Sequence, residues 1–491
     1  MTLSAILNGV KLRAAFPADL GNREVTGLEY DSRRVEAGFL FFAFPGAHAD
    51  GRQFAQQAIA KGATAVVSEL PAPAGFLGTW IECEHGRRAL AIASKNFYQR
   101  PDERLMLTGV TGTNGKTTTT FLIDSVMRAA GKTTALVGTI EYRLAGEVRP
   151  AVNTTPESLD LYRLFHELEQ DGGTAATMEV SSHALALDRV YGMTFHTAVF
   201  TNLTRDHLDF HKTMEDYFAA KVLLFQPRAD SAPRAAVINW DDPHGHEIPT
   251  APGMQLIRYG FDPGADLRAS DLEMDFSGLR FTVEFGNQRI RIASPLVGRI
   301  NAYNIMAACG TALSYGFDWE TIARGIAQCR NIPGRFEKVD AGQPFLVVVD
   351  YAHTDDALKN TIAVARALKP ARVITLFGCG GDRDRSKRPL MGMAAGQGSD
   401  FVVLTSDNPR SEDPLAIMND AMVGLRRFDT PHIAEPDREK AIRTALKEAK
   451  PNDIVILAGK GHETYQVLKD RVIHFDDRET ARAILRELGH G

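Results

Sequence analysis

Residues 108–118 read Thr108-Gly-Val-Thr-Gly-Thr-Asn-Gly-Lys-Thr-Thr118, and the reading of this stretch orders the rest of the chain. The apolar run Leu105-Met106-Leu107 leads in as a strand. Thr117 to Ala130 leads out as a helix, with Phe121, Leu122, Val126 and Ala129 on one face and Gly131 as its stop. Strand, glycine-rich turn, Gly-Lys-Thr and helix together make a phosphate cradle. Backbone N–H groups and the helix N-terminus face the anion, Lys116 reaches the terminal phosphates, and the Thr117 hydroxyl is placed to ligate Mg²⁺. The strict motif has glycine five residues before Gly115, where this chain has Val110.

The chain has 491 residues, 44% hydrophobic and 24% charged, which fits a globular protein of roughly three domains of about 150 residues. A net charge of −5 argues against nonspecific nucleic-acid binding. Cys83, Cys309, Cys329 and Cys379 form no Cys-x-x-Cys pair, so neither a disulfide framework nor a zinc knuckle is indicated, and a reducing cytoplasm is expected. No stretch approaches the ~20 apolar residues that span a bilayer, and the N-terminus lacks a signal-peptide pattern.

The fold class expected is α/β in three domains. Residues 1–100 form a smaller N-terminal α/β domain, with strands at Phe39 to Phe44 and Ala63 to Ser68, and helices at Phe54 to Lys61 and Arg87 to Tyr98. Residues 101–333 form a central P-loop domain on a doubly wound parallel sheet. Its buried strands are Ala175 to Val180, Thr197 to Leu203 and Ala235 to Asn239, separated by helices such as Ser158 to Gln170. Residues 334–491 form a C-terminal Rossmann-like α/β domain. Its strands are Phe345 to Tyr351, Arg372 to Gly378, Asp400 to Ser406 and Asp453 to Gly459, and Ile332-Pro-Gly334 serves as the hinge.

Polar residues at the carboxyl ends of such strands carry the chemistry. Glu179 ends one strand and reads as a second Mg²⁺ ligand or as a structural cap. His207 and His211 are four apart, but no Glu follows His207 as the zinc motif His-Glu-x-x-His requires, so a single imidazole beside a nucleotide-bound metal is favoured, with His207 first after the strand. Lys221 interrupts the apolar helical run Tyr217-Phe-Ala-Ala-Lys-Val-Leu-Leu-Phe225. Its amine must snorkel to water or lose its proton, and a neutral lysine can take up CO₂ as a carbamate.

Gly112-Thr-Asn-Gly-Lys-Thr-Thr118, Glu179-Val-Ser-Ser-His183, Thr201-Asn-Leu-Thr-Arg-Asp-His-Leu-Asp209 and Tyr217-Phe-Ala-Ala-Lys221 closely resemble the Mur ligases. These are ATP-dependent amide-bond-forming enzymes of peptidoglycan precursor synthesis, and their P-loop has the same departure at the position of Val110. The resemblance implies that Lys221 is carbamylated and binds Mg²⁺ with Thr117, Glu179 and His207, and that Lys116, Glu179, His207 and Lys221 form the catalytic set. It assigns ATP to the loop residues Gly112, Thr113, Asn114, Gly115, Lys116, Thr117 and Thr118. Asn301 in Gly298-Arg-Ile-Asn-Ala-Tyr-Asn304, and Arg335, Asp350 and His353 further on, join the nucleotide set.

Within the family the chain looks like the enzymes that add the third residue of the stem peptide. Tyr30, Ser32 and Ala47-His48-Ala49 match contacts to the nucleotide-sugar substrate, UDP-N-acetylmuramoyl-L-alanyl-D-glutamate. Asn153, Thr154, Thr155, Ser181 and Arg189 match others, while Leu187 stands where the family has glutamine. Asp407-Asn408-Pro409-Arg410 is the tetrapeptide associated with meso-diaminopimelate rather than lysine. Diaminopimelate has a second amino-acid head whose carboxylate suits the fork of Arg410, whereas lysine offers only an ammonium. By the same resemblance Arg383 would take the other carboxylate, and Gly459 and Glu463 would meet the distal amine and backbone. ATP and Mg²⁺, small-molecule substrates and a monomer in the cytoplasm are therefore expected, with no nucleic-acid partner. Folylpolyglutamate synthase and a P-loop switch without a ligase product are the rival readings, and the tetrapeptide argues against the first.

Overall fold

The computed structural model describes residues 1–46, 49–229 and 231–490, so Ala47 and His48 of the expected nucleotide-sugar set lie outside the described residues. The chain folds as two compact units. The first comprises Met1–Ser270, Val283–Ile290 and Tyr303–Ile326, and the second Asp271–Thr282, Arg291–Ala302 and Ala327–Gly491.

The first unit begins with a four-stranded parallel sheet in sequential order, Gly27–Glu29, Phe39–Phe42, Ala65–Ser68 and Trp80–Glu82. Side chains alternate across a strand, so Leu40 and Phe42 face one core with Leu90 of helix Gly86–Phe97, while Phe41 faces another with Ala55 and Ala58 of helix Ala55–Ala60.

The P-loop strand, Met106–Thr111, sits in the interior of a much larger sheet. Parallel neighbours are Ala175–Glu179 on one side and Thr197–Phe200 on the other. Thr134–Val137 extends the parallel set beyond the first, and Ala235–Asn239 and Gln255–Gly260 extend it beyond the second. Not all of the sheet is parallel, because Glu141–Leu144 and Glu147–Pro150 add an antiparallel margin. Tyr142 and Leu144 on that margin still point into the core, so short-range alternation, not a crossover helix, builds it. The P-loop strand also runs four residues beyond Leu107, and this accounts for Val110. Position 110 is strand interior, fully buried and paired with Val199 and Glu179, where a β-branched residue is favoured over glycine. The turn itself starts at Gly112.

The second unit has a six-stranded sheet in the order Glu337–Val339, Leu346–Asp350, Ile454–Ala458, Val373–Phe377, Phe401–Thr405, His432–Glu435. All neighbours are parallel except the first pair. Helices Asp355–Ala367, Lys387–Gly398 and Pro414–Leu425 cover one face, and Arg438–Glu448 and Asp477–Glu487 cover the other. Such a doubly wound sheet presents loops at the carboxyl ends of its strands. Three adjacent strands, Phe401–Thr405, Val373–Phe377 and Ile454–Ala458, thereby carry the segments at 407–410, 378–383 and 459–463.

Among the described residues no helix is long and apolar enough to cross a membrane, and all four cysteines are free and buried.

Candidate active site

The cradle is held by close backbone approach. Gly112 has φ +145°, and a Cβ there would overlap the Thr201 hydroxyl; Gly115 has φ +86°, and a Cβ there would meet the Asn304 amide. Gly115 is also the N-cap of helix Lys116–Ala129, whose first N–H groups supply the anion-facing end. The loop is braced by the segment after the neighbouring strand. Thr113 N–H donates to the Asn202 carbonyl at 2.8 Å and Asn114 N–H to Asn202 Oδ1 at 2.9 Å. Sequence reasoning gave Asn202 no role of its own, since only the sheet order puts it there.

Two lysines converge on one carbonyl. Lys116 Nζ donates to Gly112 O at 2.9 Å and Thr113 O at 2.8 Å, and Lys221 Nζ donates to Gly112 O at 2.8 Å. Lys221 sits on helix Met214–Val222 and is 1% exposed, with its amine 4.2 Å from the Tyr217 ring centre. The chain does not let it snorkel. Burial, reinforced by the Lys116 charge, drives its pKa well below that of an ordinary lysine. No ion pair holds it among the described residues.

Glu179 ends strand Ala175–Glu179 and is buried. Thr117 Oγ1 donates to its Oε1 at 2.9 Å, as does Thr139 N–H at 2.8 Å, while Thr139 Oγ1 donates to Oε2 at 3.1 Å. All these donors are neutral, and no ion pair to Glu179 occurs among the described residues. A buried carboxylate compensated only by neutral groups is suited to a cation. Thr139 was not foreseen, because a threonine after a strand has no distinguishing local pattern. His207 caps helix Leu208–His211 in the left-handed region at φ +53°, with its ring 4.9 Å from His183 and 5.9 Å from Tyr217. Burial lowers its pKa, Asp206 opposes this, and Lys116 and Lys221 reinforce it, so the imidazole is biased toward the neutral, ligating form. His211 instead bonds Ser182 Oγ at 2.9 Å, and no group of three or more His, Cys, Asp or Glu side chains placed to hold a metal ion occurs among the described residues.

The residues expected to hold the nucleotide sugar occupy two places in the first unit. Tyr30 donates to Asp160 at 2.5 Å, and buried Ser32 donates to Gln57 at 2.9 Å; Ala49 accepts from Gly46 N–H at 2.8 Å. The others lie around Glu179. Thr155 Oγ1 donates to the Glu179 carbonyl at 2.9 Å and accepts from Ser181 N–H at 3.1 Å, while Thr154 lies 3.0 Å from Thr139. The Asn153 carbonyl accepts from Tyr142. Arg189 is oriented by Glu157 at 3.0 Å and by the Thr155 carbonyl at 2.9 Å. Leu187 closes helix Ser182–Ala186 through its backbone, a role that needs no glutamine.

In the second unit, Asn301 Nδ2 donates to Val297 O at 2.7 Å. Asp350 accepts from Phe336 N–H at 2.7 Å and Thr361 at 3.0 Å, with burial raising its pKa against the pull of Arg335. The Arg335 guanidinium lies 5.4 Å from the Tyr351 ring centre, and His353 Nδ1 is 2.9 Å from the Tyr351 carbonyl.

The expected amino-acid residues do come together here. Asn408 Nδ2 donates to Glu463 at 2.8 Å, Gly459 has φ +110° with the Asp407 carboxylate where a Cβ would go, and Pro409 O lies against Gly381. Arg410 Nη1 donates to Gly381 O at 2.8 Å, and Arg383 Nη1 to Asp382 O at 3.0 Å. Beneath them is a group that sequence reasoning missed. The fully buried Arg438 pairs with buried Asp477 at 2.6 Å and donates to Ser406 O at 3.3 Å and Ala458 O at 3.0 Å. It thereby ties together the residues preceding Asp407 and Gly459. Arg388 similarly joins Glu412 at 2.7 Å and Asp420 at 2.9 Å.

A variant P-loop on a parallel sheet, a buried metal-suited carboxylate and a deprotonable lysine define a nucleotide-dependent α/β enzyme. Family models match three successive parts of the chain: the Mur ligase family catalytic domain at residues 24–98, the Mur ligase middle domain at 110–312, and the Mur ligase glutamate ligase domain at 334–461. The chain is 64% identical to the UDP-N-acetylmuramoyl-L-alanyl-D-glutamate–2,6-diaminopimelate ligase of Solibacter usitatus, over 100% of this chain and 99% of that protein. It is 46% identical to the protein of the same name from Geobacillus kaustophilus, over 96% of each. A solved structure of a UDP-N-acetylmuramoyl-L-alanyl-D-glutamate–2,6-diaminopimelate ligase superposes with a TM-score of 0.76 at 34% identity, covering 100% of both chains. The MurF ligase of Thermotoga maritima in complex with ADP shares the fold at a TM-score of 0.62 and 18% identity, over 90% of this chain and 94% of that one. The chain belongs to the Mur ligase family.

Proposed function

We propose that this protein joins meso-diaminopimelate to UDP-N-acetylmuramoyl-L-alanyl-D-glutamate at the expense of ATP, as an amide-bond ligase of peptidoglycan precursor synthesis in the cytoplasm. The observation that carries a ligase reading over a plain nucleotide switch is Lys221, an amine that is buried with no ion-pair partner among the described residues and is bonded to the Gly112 carbonyl of the phosphate loop. Its neutral Nζ can add to CO₂, forming an N–C bond and releasing a proton, which turns the buried amine into an anionic pair of oxygens. The relatives named as diaminopimelate ligases and the Asp407-Asn408-Pro409-Arg410 segment support the choice of amino acid.

Residues 1–100, 101–333 and 334–491 would then be the nucleotide-sugar, ATP and amino-acid domains. In the reaction, the substrate's glutamate γ-carboxylate displaces ADP from the γ-phosphorus of ATP, giving an acyl phosphate. The amine of diaminopimelate adds to the acyl carbon and expels phosphate, and the amide nitrogen loses a proton. No side chain serves as a covalent nucleophile. Lys116 and the N-terminus of helix Lys116–Ala129 hold the phosphates, so catalysis is mainly positioning and charge stabilisation. Thr117, Glu179, His207 and the carbamate of Lys221 would hold Mg²⁺, for which the uncompensated Glu179 is suited. Mg²⁺ bound there supplies charge neutralisation on the transferred phosphate. Product mass is the test. The full chain with ATP, nucleotide-sugar dipeptide and meso-diaminopimelate should give the tripeptide product, and omission of any one substrate should give none; ATP hydrolysis without that product would refute the reading.

A further inference from the structure

Lys460 is not a substrate contact in any assignment above, yet its side chain has no exposed surface. It lies between strand Ile454–Ala458 and the short strand Tyr465–Val467. Its Nζ is 3.1 Å from Glu463 Oε2 and 3.4 Å from Asn408 Oδ1, and it also donates to the Tyr465 carbonyl. An ammonium has three N–H groups, and these are three acceptors. Asn408 Oδ1 accepts a second bond, from Val467 N–H at 2.9 Å. Both Val467 N–H and the ammonium can only donate, so this end of the amide must be the oxygen. Its Nδ2 is thereby turned to Glu463 Oε2, 2.8 Å away.

We propose that Lys460 is a positioning residue of the amino-acid site, which commits Glu463 Oε2 and Asn408 Oδ1 inward and so leaves Glu463 Oε1 and the second Asn408 N–H for the distal amino-acid head of the substrate. This rests on the diaminopimelate reading above. The chemistry is matched in sign. A zwitterionic head offers an ammonium, which needs a carboxylate oxygen, and a carboxylate, which needs an N–H. Without Lys460 the Asn408 amide loses one of the two donors that fix its orientation, and a flipped amide would turn its oxygen toward the substrate carboxylate. Glu463 would also lose its buried counter-charge. Discrimination against an amino acid with only an ammonium at its distal end therefore depends on a residue that touches neither substrate.

A double-mutant cycle on the full chain tests this, with KM for meso-diaminopimelate read by phosphate release in the presence of ATP and nucleotide-sugar dipeptide. Loss of a charge-assisted bond predicts that Lys460→Met raises this KM ~10- to 100-fold. The KM for ATP should stay within about two-fold, and the preference for meso-diaminopimelate over L-lysine should shrink. In a Glu463→Gln background the same substitution should cost much less, because its effect runs through Glu463. A folded Lys460→Met protein with unchanged KM, or fully additive effects in the cycle, would overturn the proposal. If Lys460→Met lowers the melting midpoint too far to assay, Lys460→Gln, which keeps a donor for the Tyr465 carbonyl, takes its place in the cycle. Wild-type phosphate release that ignores diaminopimelate would refute the parent reading instead, so the two failures are distinct.

Discussion

The phosphate loop of the first unit and the amino-acid loops of the second unit solve the burial of charge in opposite ways. Around the phosphate loop, Glu179 accepts from neutral threonine donors and Lys221 is bonded to a backbone carbonyl beside an aromatic ring, with no ion pair to either among the described residues. Beneath the amino-acid loops three buried cations each meet a carboxylate: Arg438 with Asp477, Arg388 with Glu412 and Asp420, Lys460 with Glu463. An uncompensated set waits for charges that arrive with a ligand. A compensated set is finished before the ligand comes, and serves shape and selection rather than charge neutralisation.

Substitutions can break this contrast at either end. The largest effect is expected for Lys221→Ala, which should lower ligase turnover by ~10²- to 10³-fold or more, with partial rescue by a short-chain carboxylic acid. Full activity without rescue would remove the carbamate. Next comes Arg438→Met, which leaves Asp477 buried without its partner and should cost ~3–5 kcal/mol in a denaturant titration. Adding Asp477→Leu should recover much of that loss, because two apolar groups replace a pair instead of stranding one charge. At the phosphate end the same paired removal does not apply, since no ion pair to Glu179 or Lys221 occurs among the described residues.

A third prediction concerns pH. Burial, with Arg335 adding to it, lowers the His462 pKa from about 6.5 to about 4. Between these values the unfolded chain binds the proton and the folded one does not, so this histidine makes stability fall as pH drops from about 6.5 toward 4. Equilibrium unfolding of His462→Asn across that range should show a shallower decline. The smallest effect should come from Thr139→Val, which removes one hydroxyl donor from Glu179 but keeps the backbone N–H. A loss of ~0.5–1.5 kcal/mol in thermal or chemical unfolding is expected.

The same contrast explains what could be read in the sequence. The phosphate loop, Glu179, His207 and Lys221 drew notice because each stands out locally, as glycines at fixed spacing, a carboxylate at a strand end, a first imidazole after a strand and a lysine in an apolar helix, while their roles came from the family resemblance. The Asp407–Arg410 segment was singled out by its resemblance to the tetrapeptide of the diaminopimelate-adding ligases; its place after an apolar strand alone fits an ordinary turn equally well. Strand limits were less so. The P-loop strand outran its apolar signature because Thr108 and Thr111 are buried polar residues inside a sheet. Residues that brace the sites were invisible. Asn202 meets Asn114 across 88 positions, Thr139 meets Glu179 across 40, and Arg438 meets Asp477 across 39. Lys460 lies three residues from Glu463, but its burial depends on Asn408 and Tyr465, and nothing in Gly-Lys-Gly-His-Glu announces that.

The most direct measurement is phosphate release by the wild-type chain with ATP and UDP-N-acetylmuramoyl-L-alanyl-D-glutamate, run in parallel with meso-diaminopimelate, with L-lysine and with no amino acid. The account predicts release that needs the nucleotide sugar and meso-diaminopimelate together and is much slower with L-lysine. Equal rates with the two amino acids would contradict the specificity assigned to the second unit, and release without any amino acid would contradict the ligase itself.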